Sequence, residues 1–230
     1  MLKAIIFDFD GVITDSEPSH LRMFQKVLLE MGISLDKKEY YEKYLGMDDK
    51  GCFATVLRSH GIDTDPDLIQ SLIKKKTNYL MEAMKSDLFI YPGVVDFIEK
   101  ARKRYLLAVA SGALRHEIEF VLIHTGVLSA FDVIVSAEDV QEGKPNPECF
   151  NLALRRLNEM GERDIRPDEC IVIEDSIAGI EGAKGAEMKC IAVTNTYSHE
   201  RLTMADMVVK SLEGINVENL GNIINKEGKT

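Results

Sequence analysis

Two aspartates close to the N-terminus, Asp8 and Asp10, have the spacing and the setting of catalytic carboxylates. They stand directly after a short apolar run, and Gly11 follows them. Two such carboxylates can divide the work of a reaction, because one can act as a nucleophile while the other donates and accepts protons. The glycine lets the backbone approach a bound anion closely. We therefore treat this pair as the candidate centre of catalysis.

Polar residues also follow three later apolar runs. Ser111 and Gly112 follow the second run, Lys144 lies after the third, and Glu174 and Asp175 end the fourth. In open α/β sheets, ligands bind beyond the carboxyl ends of the strands. We therefore expect all these side chains to share one edge of a sheet with the aspartate pair.

The residue types at this edge indicate phosphate chemistry supported by a metal. Carboxylates held close together repel one another, and a hard cation with oxygen ligands, such as Mg²⁺, relieves that repulsion. Lys144 would oppose the anionic groups as a positive point charge. Ser111 and the backbone N–H groups near Gly11 and Gly112 could donate to phosphate oxygens.

The elements that must position these residues are short strands alternating with helices. The apolar runs are continuous rather than alternating, which is typical of strands buried on both faces of a parallel sheet. They lie at residues 4–7, 106–110, 133–135, 170–173, 190–193 and 207–209. Amphipathic segments of helical length lie at 94–104, 116–125, 147–159 and 177–186. This pattern predicts a doubly wound α/β fold.

One region, between the first and second strands, has no strand-like run. It reads instead as helices at 17–31, 37–45, 50–60 and 66–85, the first beginning after Ser16 as N-cap. We therefore expect an α/β core domain formed by residues 1–14 and 88–230. Residues 15–87 would form a small helical cap domain inserted after the first strand. The alternative is an insert without a catalytic role.

Four segments of the chain resemble the signatures of the haloacid dehalogenase-like hydrolases. They are DFDGVITDSEP, the serine of ASGA, GKPNP and IEDSIAGIEGAK, in the order of that family and across almost the whole chain. The segment DSEP and the histidine at position 20 are most similar to the sugar-phosphate phosphatases and β-phosphoglucomutase-like enzymes. One departure lies after the fourth signature, where Glu187 occupies a helix end that often requires a left-handed residue.

The resemblance implies a role for each site residue. Asp8 would attack phosphorus and form an aspartyl phosphate, and Asp10 would protonate the leaving alcohol and then deprotonate water. Mg²⁺ would be held by Asp8, the backbone carbonyl of Asp10 and Asp175, with Glu174 assisting through water. The phosphoryl group would be bound by Gly11, Ser111, Gly112 and Lys144.

The helical insert offers two further candidate residues, which would bind the substrate. The resemblance implies that His20 and Lys75 contact the substrate. The alternatives are a surface or packing role for His20 and a solvated helical face for the lysine run at 74–76.

We expect a phosphatase that acts on a small phosphorylated metabolite, such as a sugar phosphate. The alternative is a phosphosugar mutase, which needs a residue that binds the second phosphate of its substrate. Asp48 and Asp49 lie where mutase-like caps carry an arginine, and only Lys50 or Arg115 could take that role. A non-catalytic binding or regulatory module is the interpretation from another class.

The sequence alone also allows non-catalytic interpretations of these site residues. Asp8 and Asp10 could belong to a solvated turn or to a calcium loop, although the glycine falls at the fourth position of such a loop instead of the sixth. Asp175 could be a simple helix N-cap, Lys144 a surface lysine and Ser111 a turn residue.

Composition and charge restrict the partners. The net charge of −10 does not fit a nucleic-acid partner, which requires a basic surface. The four cysteines show neither zinc-ligand spacing nor a disulfide framework, and Cys170 and Cys190 are expected to be buried. With no apolar stretch of membrane-spanning length and no signal-peptide pattern, we expect a cytoplasmic protein without a membrane partner, either a monomer or a weak homodimer.

Overall fold

Six short strands form one parallel sheet in the computed structural model of the chain, which describes residues 1–45, 47–84, 88–161 and 163–224. The strands are β1 (Ala4–Phe7), β2 (Leu106–Ala110), β3 (Val133–Val135), β4 (Cys170–Glu174), β5 (Lys189–Val193) and β6 (Met207–Val209). Each agrees with a predicted apolar run to within one residue at either end. The prediction of a parallel α/β fold is confirmed.

The order of the strands determines where a ligand can bind. The sheet runs β3-β2-β1-β4-β5-β6, and β1 pairs with β4 so that Phe7 lies opposite Ile173. The direction of winding reverses between these two strands, which makes their carboxyl ends the switch point of the sheet. The residues that follow β1 and β4 therefore meet at one crevice.

The helices follow the predicted amphipathic segments. The described residues form α1 (Glu17–Leu29), α2 (Lys37–Lys43), α3 (Asp49–Ser59), α4 (Pro66–Met84), α5 (Val94–Ala101), α6 (Arg115–His124), α7 (Glu148–Glu159), α8 (Ile177–Gly185) and α9 (Gly221–Ile224). In the core, buried side chains of α7 and α8 pack with those of the sheet; Phe150 and Ile180 are almost fully buried there.

The chain divides into two compact units. One comprises Met1–Asp15 and Phe89–Thr230, and the other comprises Ser16–Leu88. The second unit holds α1 to α4 around its own apolar core, in which the rings of Phe24 and Phe53 lie 4.9 Å apart, edge to face. Helix α1 begins after Ser16 as predicted, but the Ser16 side chain does not cap it. Position 85, the predicted end of α4, lies outside the described residues.

Helix α8 ends at the departure noted in the fourth signature. Glu187 has a φ of 60°, in the left-handed region, while its N–H donates to Lys184 O and the N–H of Met188 donates to Ala183 O. The helix therefore ends with the usual left-handed geometry, and Glu187 carries the steric strain that glycine would avoid.

Cys170 and Cys190 are fully buried, as predicted. Across the residues that the structure describes, no helix is both long enough and apolar enough to cross a bilayer.

Candidate active site

The aspartate at the end of β1 lies at the switch point of the sheet. The Asp8 N–H donates to Ile173 O of β4, so the backbone pairing of the two strands continues up to the candidate nucleophile. The Asp8 side chain is buried, as are Glu174 at the end of β4 and Asp175 just beyond it. The two strand ends thus bring together carboxylates that are more than 160 residues apart in sequence.

A lysine lies between two of these carboxylates. Lys144 Nζ is 2.8 Å from Asp8 Oδ1 and 2.7 Å from Glu174 Oε1. Burial by itself would lower the pKa of Lys144, but the attraction of the two carboxylates outweighs it and raises the pKa above its usual value. Lys144 therefore stays charged at neutral pH, and the alternative of a surface lysine is wrong, since its side chain is 13% exposed.

The acidic groups are arranged so that they could hold a cation. Oxygens of Asp8, Glu174 and Asp175 lie within 4.8 Å of one another. Burial, followed by repulsion from the neighbouring carboxylates, raises the pKa of Asp175, and burial raises that of Asp8 despite the opposing effect of Lys144. One lysine does not balance three carboxylates. Buried oxygen ligands with excess negative charge fit Mg²⁺.

Glu174 also fixes the local structure. Its Oε2 accepts hydrogen bonds from Asp175 N at 2.8 Å, Ser176 N at 2.8 Å and Ser176 Oγ at 3.0 Å. Burial would raise the pKa of Glu174, but Lys144 and these donors outweigh burial and lower it. A Cβ added at Gly179 would lie 1.7 Å from Glu174 Oε1, so α8 can approach only without a side chain there. The expected water-mediated contact of Glu174 with the metal stays a prediction.

The interpretation of Asp175 as a helix N-cap is wrong. Ser176 takes that position in α8, and its Oγ accepts from Gly179 N at 2.9 Å. An Asp175 carboxylate oxygen instead lies within 4.8 Å of oxygens of Asp8 and Glu174. Its carboxylate therefore faces the acidic group and not the helix.

Gly11 is required by the close packing of the loop after β1. It has a φ of 76°, and a Cβ at this position would lie 2.0 Å from Asp175 Oδ2. Its carbonyl accepts a 2.7 Å hydrogen bond from Asn195 Nδ2, which follows β5. The sequence analysis did not identify Asn195; its position directly beyond the carboxyl end of a strand was the available signal.

The other predicted site residues lie at the same edge of the sheet. Ser111 follows β2, which is the neighbour of β1, and is 3% exposed. Its Oγ accepts from Ala113 N at 3.1 Å, which gives a turn role in addition to any role in phosphate binding. Gly112 has open space where a Cβ would point, and Asp10 is partly buried in the loop after β1.

The Arg115 side chain is already paired within the protein and is not available to bind a phosphate. Its guanidinium donates to Asp139 Oδ2 at 2.7 Å and to Ile134 O at 3.1 Å. Arg156 binds the other oxygen of Asp139 at 2.7 Å. The suspicion that Arg115 replaces the missing mutase arginine is therefore not supported by its contacts.

The helical insert contains a buried charged group of its own. Lys76 is 1% exposed; its Nζ donates to His20 Nδ1 at 2.7 Å and pairs with Asp49. Burial and then the charge of Lys76 lower the pKa of His20 to about 3, so this histidine is neutral at physiological pH.

Lys75, the lysine predicted to contact the substrate, is not the lysine of α4 that contacts His20. Lys75 is 45% exposed and pairs with Glu30, whereas its neighbour Lys76 contacts His20. The sequence carried a signal for this difference, because Lys76 is in phase with the buried Ile69, Leu72 and Leu80 of α4.

The comparison with protein families agrees with the signatures in the chain. The model of the haloacid dehalogenase-like hydrolases matches residues 5–193. The chain belongs to this family. The resemblance of this haloacid dehalogenase-like hydrolase to its family, which four segments of the sequence indicated, is therefore confirmed.

Three known proteins illustrate the range of activities among similar haloacid dehalogenase-like hydrolases. The crystal structure of CbbY from Rhodobacter sphaeroides in complex with phosphate is 31% identical, covers 93% of this chain and 96% of its own, and has a TM-score of 0.81. β-Phosphoglucomutase from Clostridium difficile is 27% identical over 98% of each chain, with a TM-score of 0.82. Fructose-1-phosphate phosphatase YqaB from Escherichia coli is 29% identical, over 82% of this chain and 95% of its own.

Proposed function

We propose that this protein is a phosphatase that hydrolyses a small phosphomonoester through an aspartyl phosphate on Asp8. The observation that carries the proposal is the contact of Lys144 with Asp8 at 2.8 Å, at the switch point of the sheet and beside Asp175. A buried lysine next to a carboxylate neutralises the nucleophile and can bind the incoming phosphoryl oxygens. Phosphoryl transfer needs mainly such positioning and charge stabilisation.

The reaction would proceed in two displacements. In the first, an Asp8 carboxylate oxygen forms a bond to phosphorus as the bond to the ester oxygen breaks, and Asp10 gives its proton to the departing alkoxide. In the second, Asp10 takes a proton from water, the water oxygen bonds to phosphorus, and Asp8 leaves as a carboxylate. Ser111 Oγ and Lys144 Nζ would bind the phosphoryl oxygens in both steps.

Asp8, Asp175 and the backbone carbonyl of Asp10 would hold Mg²⁺, with Glu174 acting through water. When bound, the cation would offset the charge of the phosphoryl oxygens and reduce repulsion between substrate and carboxylates.

A phosphorylated carbohydrate is the substrate class that we propose. Support comes from the similar proteins, one of which is named for fructose 1-phosphate and another for a phosphoglucose reaction. The carbon skeleton of the substrate has to be found by a screen of phosphorylated metabolites.

The first test is phosphate release from p-nitrophenyl phosphate with Mg²⁺, comparing the wild type with Asp8→Asn. We expect the amide to lower kcat by at least ~10³-fold, because it is a poor nucleophile. Asp168→Asn is the matched control, since Asp168 is 63% exposed and pairs with the equally exposed Arg166. Circular dichroism should show the same fold in both variants. Retained turnover in Asp8→Asn, or a phosphoryl adduct trapped on another residue, would contradict the assignment.

A phosphosugar mutase is the second candidate, favoured by the TM-score of 0.82 with β-phosphoglucomutase. One argument against it loses strength, because Asp49 is paired with Lys76 and would repel a second phosphate less than an unpaired aspartate. Asp48 caps α3 by accepting from Gly51 N at 2.8 Å. The absence of an arginine at positions 47–50, directly after Gly46, remains the argument for a phosphatase.

The two candidates can be separated with β-glucose 1-phosphate, a catalytic amount of the 1,6-bisphosphate and Mg²⁺. Glucose 6-phosphate and inorganic phosphate are followed separately. We expect phosphate release to dominate. Conversion to glucose 6-phosphate that is much faster than phosphate release from any metabolite in the screen would establish the mutase instead.

A further inference from the structure

The helical insert contains a cavity that the proposed reaction does not use. It has a volume of about 390 Å³ and lies between α3 and α4. Its lining includes two cations, two neutral polar residues and an apolar floor: Lys50, Arg58, Thr64, Gln70, Ile69 and Ile73. A cavity of this size can enclose a small organic molecule.

The position of the two cations follows from the helical repeat. Lys50, Ala54 and Arg58 are spaced by four residues, so they lie on one face of α3. The rise of an α-helix separates the first and last of them by about 12 Å along its axis. The small Ala54 between them leaves the space that the cavity occupies. On the facing helix, Ile69 and Ile73 provide apolar surface at the same spacing.

The two cations of this cavity lack acidic partners in its lining. Among the residues that the structure describes, neither the Lys50 ammonium nor the Arg58 guanidinium makes a hydrogen bond or an ion pair, and no carboxylate belongs to the cavity lining. Elsewhere in the insert, Lys43 and Lys75 pair with carboxylates.

We propose that this cavity is a binding site for a small organic dianion with an apolar middle, such as an aliphatic dicarboxylate. One anionic group would pair with Lys50 and the other with Arg58, whose planar guanidinium can bind a carboxylate through two hydrogen bonds. The methylene chain between them would pack on Ala54, Ile69 and Ile73. The site uses residues of the insert alone, so it does not depend on the acidic group at the switch point.

Adipate is the probe, and hexanoate, which has the same chain length and one carboxylate, is the matched ligand control. Calorimetric titration of the full chain at low ionic strength, without Mg²⁺, should give saturable binding of one adipate per chain. Binding should weaken as salt is added, because these cations are exposed to solvent. Hexanoate should bind at least about tenfold more weakly, since it lacks one charge-assisted contact.

Three variants test the location of the site. Lys50→Gln and Arg58→Gln should each weaken adipate binding by at least about tenfold. Lys74→Gln, at an exposed lysine on α4 outside the cavity, should change it by less than about twofold. Ala54→Leu keeps both cations but fills the space between them, and should abolish binding while the thermal transition stays cooperative.

Several results would overturn the proposal. These are the absence of saturable adipate binding to the wild type, equal affinity for hexanoate, or equal weakening by Lys74→Gln. Undiminished binding to the double variant Lys50→Gln/Arg58→Gln would also overturn it, because the two cations would then not be the binding groups.

Discussion

Asn195 shows how a residue remote in sequence can support the loop that carries the proposed nucleophile, Asp8. Its side-chain N–H donates to the carbonyl of Gly11 at 2.7 Å, across 184 positions of sequence. Gly11 in turn lies against Asp175, with no space for a Cβ. The loop that carries Asp8 and Asp10 is therefore held from the side of β5 as well as by β4.

We predict that Asn195→Ala lowers kcat for p-nitrophenyl phosphate by about 10- to 100-fold with a smaller change in KM. Misplacement of reacting groups by about 1 Å can cost a factor of that size. The matched control is Asn158→Ala, which also removes a side chain bonded to backbone, here to Ile165 at 3.0 and 2.8 Å, but within α7 and the loop after it. If both variants lose stability and activity in the same proportion, Asn195 has only a structural role.

At the scale of elements, Asp139 joins three parts of the core that surround the loop after β2. It binds Arg115 of α6 and Arg156 of α7, each at 2.7 Å, and accepts from Ser136 N at 2.9 Å. The adjoining Ala137 N–H donates to Ala113 O, so the same loop supports the turn that carries Ser111. Burial acts to raise the pKa of Asp139, but these donors outweigh it and hold the pKa below its usual value.

We predict that Asp139→Asn lowers the free energy of unfolding at pH 7 by about 1–3 kcal/mol. Because the pKa is lower in the folded state, the stabilisation is present above the unfolded pKa, near 4, and is lost as the pH falls through the folded pKa. The difference between wild type and variant should therefore shrink below about pH 4. Urea denaturation at pH 7, 4 and 3 measures it.

Asp168→Asn serves as the control, because its ion pair with Arg166 is exposed and should contribute less than about 1 kcal/mol. A pH-independent loss of stability in Asp139→Asn would contradict the ionic explanation.

The end of α8 provides a second prediction for an element. Glu187 is exposed and has a φ of 60°. We predict that Glu187→Gly raises the stability by about 0.5–1 kcal/mol, because glycine removes the steric cost of the left-handed conformation. Glu181→Gly, at an exposed position inside the same helix, should lower the stability by about 1 kcal/mol. Thermal denaturation of both variants measures the shifts in Tm, and a lower Tm for Glu187→Gly would contradict the strain argument.

At the scale of the whole molecule, the chain combines an α/β core with a helical insert that follows the first strand. The role of this insert as a cap, with bounds at residues 15–87, stays a prediction from the sequence. We expect it to move between open and closed arrangements, because closure would restrict water at a phosphoryl-transfer site. Small-angle scattering with and without a phosphate analogue should show a smaller radius of gyration in the bound state. Identical scattering in both states would count against a moving cap.

The sequence by itself determined the strands of the sheet and which polar residues lie at its edge. The strands are short continuous apolar runs, and this local pattern identified all six of them to within one residue. Because parallel strands end at a common edge, the polar residues after β1, β2 and β4 could be assigned to one site before their distances were known. The same reasoning indicated Asp8, Lys144 and Asp175, which the structure brings together at that edge.

Contacts between distant segments could be decided only by the tertiary structure. The helical phase assigns Lys76, and not Lys75, to the buried face of α4, but the packing of α4 on α1 determines that Lys76 meets His20 there. Arg115 was a candidate phosphate grip until its pairing with Asp139 was known. Asn195 and Gly179 are ordinary residues in sequence, and their importance arises from the atoms that face them, Gly11 O and Glu174 Oε1. Such contacts depend on how elements pack, which periodicity along a single chain does not encode.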